Sequence, residues 1–401
     1  MRVLVLISVF LLVCAASGKS LEADAINNAQ WSEPSLSKKA INPLLIKAEV
    51  LLARAHFSSG EISGKAGENL NKTIGAFAEA QGKESEKLDQ QLWDKLVSMS
   101  ADPIVVDYTI SEEDVRGPFL EKIPTKMERM KDLPRLAYTS PKEKLAEKFQ
   151  MSPELLSALN PGEKFDSAGH TIVVANIPKK ALPEKVARIT VDKTNQELRA
   201  FGPDGKLLAY YPATVGSEQK PAPSGTLKVT AVKNNPTYHY NPAYAFKGVR
   251  TKQPFTIQPG PNNPVGLVWI GLTGEGYGIH GTPEPSKVGK TQSHGCVRLT
   301  NWDALQLASG VSKGTRVDFI GEQNRRSEGG RKRRSLKVVL EATVWGEEPT
   351  SRLGSQMSKR LISRHLNPGQ GLGIDGATFM RNGSCASQRY SLDGRSRLDL
   401  Q

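Results

Sequence analysis

Between residues 187 and 320 the apolar side chains recur with a period of two, and this pattern constrains the fold more than any other feature of the chain. Ile189 and Val191 alternate with polar neighbours up to a turn at Thr194-Asn195. Successive side chains of a strand point to opposite faces, so such alternation marks a strand with a buried face. Leu198 and Phe201 run into Gly202-Pro203-Asp204-Gly205, a hairpin signal, because glycine and proline supply the backbone angles of a tight reversal. Leu207 to Val215 and Thr226 to Val232 continue as strands around the turn Pro221-Ala222-Pro223-Ser224-Gly225. Leu267-Val268-Trp269-Ile270 reads as a buried strand, and Tyr277-Gly278-Ile279 as a strand with His280 at its end. Thr300-Asn301-Trp302-Asp303 has the form of a capping box before a helix through Ala304, Leu305 and Ala308 that Gly310 stops. Thr315 to Ile320 is the last strand. Residues 185–321 are therefore expected to form a mainly β domain with one short helix, long enough at about 130 residues for a core of its own.

Upstream the period becomes helical. Leu44, Leu45, Ala48, Leu51 and Leu52 mark one helix, Ile74, Ala76, Phe77 and Ala80 a second, and Leu88, Leu92, Trp93 and Leu96 a third, with a glycine-rich turn between the first two. This predicts a small three-helix domain over 39–99, preceded by a polar linker, 19–38. Residues 100–134 scatter Pro103, Pro118, Pro124 and Pro134 among charges and read as a second linker. Residues 135–179 read as a small α+β unit. Tyr138-Thr139 starts it, and Leu145 to Phe149 is helical. Ser152-Pro153 caps a second helix, and Thr171 to Val174 closes as a strand.

The two ends differ from the body. Arg2, the apolar run Val3 to Val13 and the small residues Cys14-Ala15-Ala16-Ser17-Gly18 have the form of a secretory signal, 1–18, with lipidation at Cys14 as an alternative. Of the net charge of +13, +7 falls after Gly321, in a tail (322–401) that contains Arg331-Lys332-Arg333-Arg334. The tail is expected to be disordered, with weak contact to an anionic surface as its one candidate interaction. The body's charge is mild and dispersed, with no aromatic–basic pattern for base stacking, which argues against nucleic acid as a partner. Three cysteines in an exported chain do not make a disulfide scaffold.

Cys296 stands out among them. It sits in Ser293-His294-Gly295-Cys296-Val297-Arg298, sixteen residues after His280 in His280-Gly281-Thr282. A thiol attacks only as thiolate, and a nearby imidazole can take its proton and return it to a leaving amine. The pattern predicts acyl transfer through a thioester, with no metal and no cofactor. A zinc site of His280, His294 and Cys296 is the competing chemistry, but a hydrolytic zinc site also wants a carboxylate base, which the motif lacks.

The two motifs at this spacing resemble the active-site signature of the L,D-transpeptidases, the YkuD-like enzymes that cross-link bacterial peptidoglycan. The resemblance covers roughly Ala187 to Ile320 and implies a β-sandwich. It implies that Cys296 is the nucleophile and His280 the base and acid. Gly281 would orient the imidazole through its carbonyl, and His294 would shape the site. The N–H groups around Gly295 and Cys296 would hold the oxyanion. Arg298 is the candidate for a substrate carboxylate, with Ser293 and Thr282 as further binding residues. The implied reaction cuts a tetrapeptide stem after its third residue, releases D-Ala and passes the acyl group to an amine, giving a 3→3 cross-link. With water as acceptor the same site would be an L,D-carboxypeptidase; a non-catalytic wall-binding protein is the remaining alternative. The three-helix segment is similar to small peptidoglycan-binding domains, with Ser63 and Ala78 where Asp and Gln are usual. Residues 135–179 resemble a LysM module, with Ser140 to Lys144 in place of its Gly-Asp-Thr. Peptide stems and glycan strands are thus the implied partners, in a periplasmic or wall-associated location.

Overall fold

The computed structural model describes residues 21–33, 40–85, 87–217, 220–244, 249–291, 293 and 295–322. The signal-like segment 1–18 with Cys14, the residue His294, and the tail beyond Glu322 with Cys385 lie outside the described residues. Helix α1 (Ala23–Asn27) falls in a stretch expected to be linker. It is held because Ile26 is fully buried and because the Asn27 side chain accepts from the N–H groups of Ile104 and Val105.

The three expected helices follow as α2 (Pro43–Arg54), α3 (Glu68–Ala80) and α4 (Gln90–Ser98). Asn42 caps α2 by accepting from Leu44 N–H, with Pro43 in the first position where its missing N–H costs nothing. Next come β1 (Val105–Thr109), α5 (Glu112–Val115), α6 (Met127–Met130), α7 (Pro141–Lys148), α8 (Pro153–Leu159) and β2 (Thr171–Ala175). β1 pairs antiparallel with β2, Val105 opposite Ala175. A strand–helix–helix–strand order is present, but its first strand is Val105–Thr109 rather than Tyr138-Thr139. Residues 100–134, expected to be a linker, supply that strand. The alternation there is faint: of β1 only Val105 is fully buried, so the strand exists through a partner some seventy residues away.

These N-terminal pieces are not separate beads. Leu52 and Phe77 from the helices pack in one core with Leu145, Leu155 and Val174 from the α+β unit. The sequence suggested two small modules because each carries its own periodicity. The structure joins them because neither element set covers its apolar face alone.

The remaining strands are β3 (Arg188–Asp192), β4 (Glu197–Phe201), β5 (Leu207–Pro212), β6 (Thr214–Val215), β7 (Gly225–Asn234), β8 (Tyr238–Tyr240), β9 (Phe255–Ile257), β10 (Val268–Leu272), β11 (Gly278–His280), β12 (Val297–Arg298) and β13 (Arg316–Ile320), with α9 (Asn301–Gly310) before the last. Nine of them form one sheet in the order β5-β4-β3-β13-β7-β10-β11-β12-β6. Its two edge strands, β5 and β6, are separated in the chain by Ala213 alone. The ends of the order are therefore neighbours, and the sheet must roll until it nearly closes. β7 is shared between the two halves of this order: Gly225 to Lys228 pair with β13, and Val229 to Asn234 with β10. Ile189, Val191, Ile270 and Val317 line the sheet's interior with Ala304 and Leu307 of α9. Thr300 caps α9 by accepting from Asp303 N–H, but the Asp303 carboxylate takes the Ser58 hydroxyl at 3.0 Å instead of completing a capping box.

The outer edge of β5 would leave backbone groups unpaired. Residues 56–58 cover it: Tyr210 N–H donates to His56 O at 3.0 Å, and Ser58 N–H to Tyr210 O at 2.9 Å. Alternation along β5 then sends Tyr211 into the sheet's own core and Tyr210 into the N-terminal core.

Candidate active site

The site is built where β11 and β12 run side by side. They pair in parallel, Ile279 opposite Val297 and His280 opposite Arg298, so Cys296 comes to lie just before the strand next to the histidine's own. Gly295, immediately before it, has φ +90°, a backbone angle that strains any residue with a Cβ. The Cys296 carbonyl is pinned by two donors, Ser293 Oγ at 2.6 Å and Gly216 N–H at 3.4 Å. The Ser293 hydroxyl, expected to meet substrate, is thus committed to holding the cysteine backbone, although Ser293 still lines the cavity described below.

His280 is buried. Its Nδ1 lies 2.6 Å from Gly281 O. A carbonyl can only accept, so Nδ1 carries the proton and Nε2 presents a lone pair. Burial, with the Arg298 guanidinium adding to it, pulls the imidazole down to about 3 despite that bond, and the ring is neutral at neutral pH. The Trp269 indole stacks on it, centroids 5.6 Å apart and planes 20° apart. Two glycines make this possible. A Cβ on Gly278 would come within 2.4 Å of the indole, and one on Gly281 within 2.2 Å of Asn301 Oδ1. Asn301 is locked behind the histidine loop: Oδ1 accepts from Leu267 N–H at 3.0 Å, and Nδ2 donates to Glu147 Oε1 at 2.9 Å.

Cys296 retains some solvent access, while its sulfur donates weakly to Gly276 O at 3.4 Å. Burial pushes the thiol up, against a backbone hydrogen bond and the charges of Lys220 and Arg298. Arg298 is largely enclosed, and its Nε is buried without a partner among the described residues. Burial draws its guanidinium down from the usual value, opposed by Glu284 and Cys296.

Cys296, His280, Arg298, Trp269 and Ser293 line one cavity of about 520 Å³. Thr282 does not reach it; it is buried and accepts from Glu284 N–H at 3.2 Å, fixing the next turn. Several lining residues escaped the sequence reading. The β8–β9 hairpin contributes Tyr238 and His239, whose ring is held between Thr237 Oγ1 and Thr256 Oγ1, each at 2.9 Å. Thr125 and Met127 come from the stretch expected to be linker, tied down where Glu128 Oε1 accepts from Arg250 N–H at 2.7 Å. No local signal marked them, since a wall supplied by a distant segment leaves no spacing to find. Gly278, one residue from a candidate strand end, was legible as a glycine breaking a strand pattern.

A sequence model of the L,D-transpeptidase catalytic domain, YkuD, matches residues 186–319. The YkuD protein of Bacillus licheniformis, named as an L,D-transpeptidase, is 33% identical over 180 residues, which is 44% of this chain and 92% of that one. YbiS of Escherichia coli K12, named likewise, is 33% identical over 190 residues, 46% of this chain and 61% of the relative. Among solved structures, an L,D-transpeptidase from Enterococcus faecium overlays at a TM-score of 0.28 with 22% identity, covering 37% of this chain and 55% of that one. The match to the B. licheniformis protein runs over nearly that relative's whole length, and the family model spans both the His280 and the Cys296 motifs, so the chain belongs to the YkuD family of L,D-transpeptidases.

Proposed function

We propose that this chain is an exported peptidoglycan L,D-transpeptidase working through Cys296. The observation that carries the reading is a neutral His280, its proton fixed on Nδ1 and its Nε2 unprotonated, in the same cavity as a cysteine thiol and an incompletely paired arginine. In the first half-reaction the thiol sulfur adds to the amide carbonyl after the third residue of a tetrapeptide stem, and its proton passes to His280 Nε2. The N–H groups of Gly295 and Cys296 hold the oxyanion. Collapse breaks the C–N bond, His280 returns the proton to the leaving nitrogen, and D-Ala departs, leaving a thioester. In the second half an amine attacks the thioester and gives its proton to His280. The Cys296 thiolate leaves and is reprotonated by the imidazolium, closing a 3→3 cross-link. Arg298 takes a substrate carboxylate through its fork of N–H donors. Gly281 acts as orienter, the part that a carboxylate plays in a Ser-His-Asp triad. His294 shapes the site beside the thiol, a role that the motif alone supports.

The reading extends to export through residues 1–18 and to wall contact through residues 39–99 and 135–179, supported by their sequence resemblance. The test is incubation with disaccharide-tetrapeptide muropeptides and mass spectrometry of the products. Loss of D-Ala with appearance of 3→3 dimers is expected from the wild type and not from Cys296→Ala. Dimers from purified Cys296→Ala would sink the mechanism; D-Ala release without dimers would leave water as the acceptor.

A further inference from the structure

Helix α7 belongs to the N-terminal unit, yet one of its faces is turned to the catalytic domain. Glu143 and Glu147 stand four residues apart on it, so their side chains share that face. Glu143 Oε1 accepts from Asn262 Nδ2 at 2.9 Å, and Glu147 Oε1 accepts from Asn301 Nδ2, also at 2.9 Å. Glu147 Oε1 takes the Tyr138 hydroxyl as well, at 3.1 Å. The Asn301 amide is buried, and its Nδ2 has Pro261 O at 3.2 Å as its other acceptor. Its Oδ1 stands where the histidine loop turns. A Cβ on Gly281 would come within 2.2 Å of that oxygen and one on Gly266 within 2.0 Å, so both glycine backbones rest directly on the amide. The same Cβ on Gly266 would lie 2.6 Å from the Gly281 carbonyl carbon. That carbonyl keeps the His280 proton on Nδ1.

From this unbroken series of contacts we infer that Glu147 is a positioning residue for the reaction at Cys296: it holds the Asn301 amide, the amide seats the Gly281 peptide, and the Gly281 carbonyl aims His280. The role rests on His280 being the base. Stability alone gives no reason for a carboxyl in this place. Glu147 is half-buried, its two donors Asn301 and Tyr138 are neutral, and Glu143 adds a like charge nearby. Burial raises its carboxyl to about 7, and either protonation state keeps an oxygen that can accept from Asn301. What acts on Asn301 is therefore an acceptor in a fixed place rather than a charge. Without it, one buried Asn301 N–H loses its partner, the amide can tilt, and the Gly281 peptide follows. Proton transfer depends steeply on such geometry, since a misplacement of about 1 Å can cost about a hundredfold. Glu147 does not line the catalytic cavity, so its loss acts on the rate and not on affinity. Glu143 provides the contrast: it holds Asn262, whereas the side chain nearest Gly281 is that of Asn301.

The test is the maximal rate of Cys296 acylation by a carbapenem, followed by intact mass on the full chain. Glu147→Leu fills most of the space and offers no acceptor. Its rate should fall about tenfold or more, with the half-saturating carbapenem concentration unchanged. Glu147→Gln restores the acceptor and should bring the rate back close to the wild-type value. Glu143→Leu, which breaks the neighbouring bond to Asn262, should leave the rate at the wild-type value. With histidine rings labelled with nitrogen-15, the His280 Nδ1–H signal should broaden in Glu147→Leu and sharpen again in Glu147→Gln, a response that lower stability alone does not give. A wild-type rate in Glu147→Leu, no recovery in Glu147→Gln, or equal slowing by Glu143→Leu would each overturn the inference. A wild type that is not acylated at Cys296 would overturn the reading of the site, and the positioning role with it. Should Glu147→Leu melt below the assay temperature, Tyr138→Phe, which removes only the second donor to Glu147, decides the point: a slower rate supports the role, and an unchanged rate overturns it.

Discussion

The resting protonation of the Cys296–His280 pair can be tested directly. An imidazole held at about 3 is protonated at pH 7 in about one molecule in ten thousand, against about one in four for an ordinary histidine. The thiol is pushed up by burial, so its thiolate fraction at pH 7 lies below the few per cent of a free cysteine. Both shifts point the same way: the free enzyme holds a neutral thiol beside a neutral imidazole, and the proton moves only when substrate arrives. Alkylation by iodoacetamide reads the thiolate fraction. Followed on the Cys296 peptide by mass spectrometry, the rate should climb about tenfold per pH unit from pH 6 and still be rising at pH 9. Arg298→Met should slow alkylation at pH 8, because that cation favours the thiolate. It should also let the imidazole protonate more easily, since the same cation disfavours imidazolium. A rate already flat below pH 7 would mean a standing thiolate–imidazolium pair and would refute the reasoning.

Gly278→Ala places a methyl group within 2.4 Å of the Trp269 indole and must move it off His280; we expect about 1–3 kcal/mol lost in urea denaturation and slower single-turnover acylation by a carbapenem. Tyr210→Ala removes a fully buried ring that the catalytic sheet lends to the N-terminal core, and should cost about 3–5 kcal/mol while the chain still acylates. Residues 183–321 expressed alone, which the sequence suggests are sufficient, should melt lower than the full chain and show altered stem affinity. They expose Tyr210 and the β5 edge and lack the Thr125 and Met127 wall. Burial raises Glu49 to about 8 and Glu61, Glu147 and Asp303 to about 7. Each binds its proton more tightly folded than unfolded, so its contribution is full below the ordinary carboxylate range and lost as pH rises through 7 to 8. The thermal midpoint should drop from pH 6 to pH 9, and Asp303→Asn should flatten part of that slope. His280 works against this slope at its acid end, because its imidazole is neutral in the fold but largely protonated at pH 6 when unfolded, and it drops out above about pH 7.5.

The sequence by itself determined the local features. Period two gave the strands around Ile189, Val191 and Ile270, Asn42-Pro43 and Ser152-Pro153 set helix starts, and the spacing of His280 from Cys296 marked the chemistry. Each is a property of neighbouring residues acting on their own backbone, so each leaves a pattern in the chain. The tertiary structure decided everything that depends on which distant surfaces meet. Val105–Thr109 became a strand because β2 was there to pair with it. Ala213, a single residue between the edge strands, forced the sheet to roll. Thr282, beside the base in sequence, was turned away from the cavity, while Thr125 and Met127, about 170 residues from Cys296, were brought to its wall. Tyr210 and Tyr211 are adjacent and chemically alike, yet pleating sends them into different cores. Burial, which sets the protonation of His280 and Cys296, is likewise a sum over atoms from the whole fold, and no stretch of sequence carries it alone.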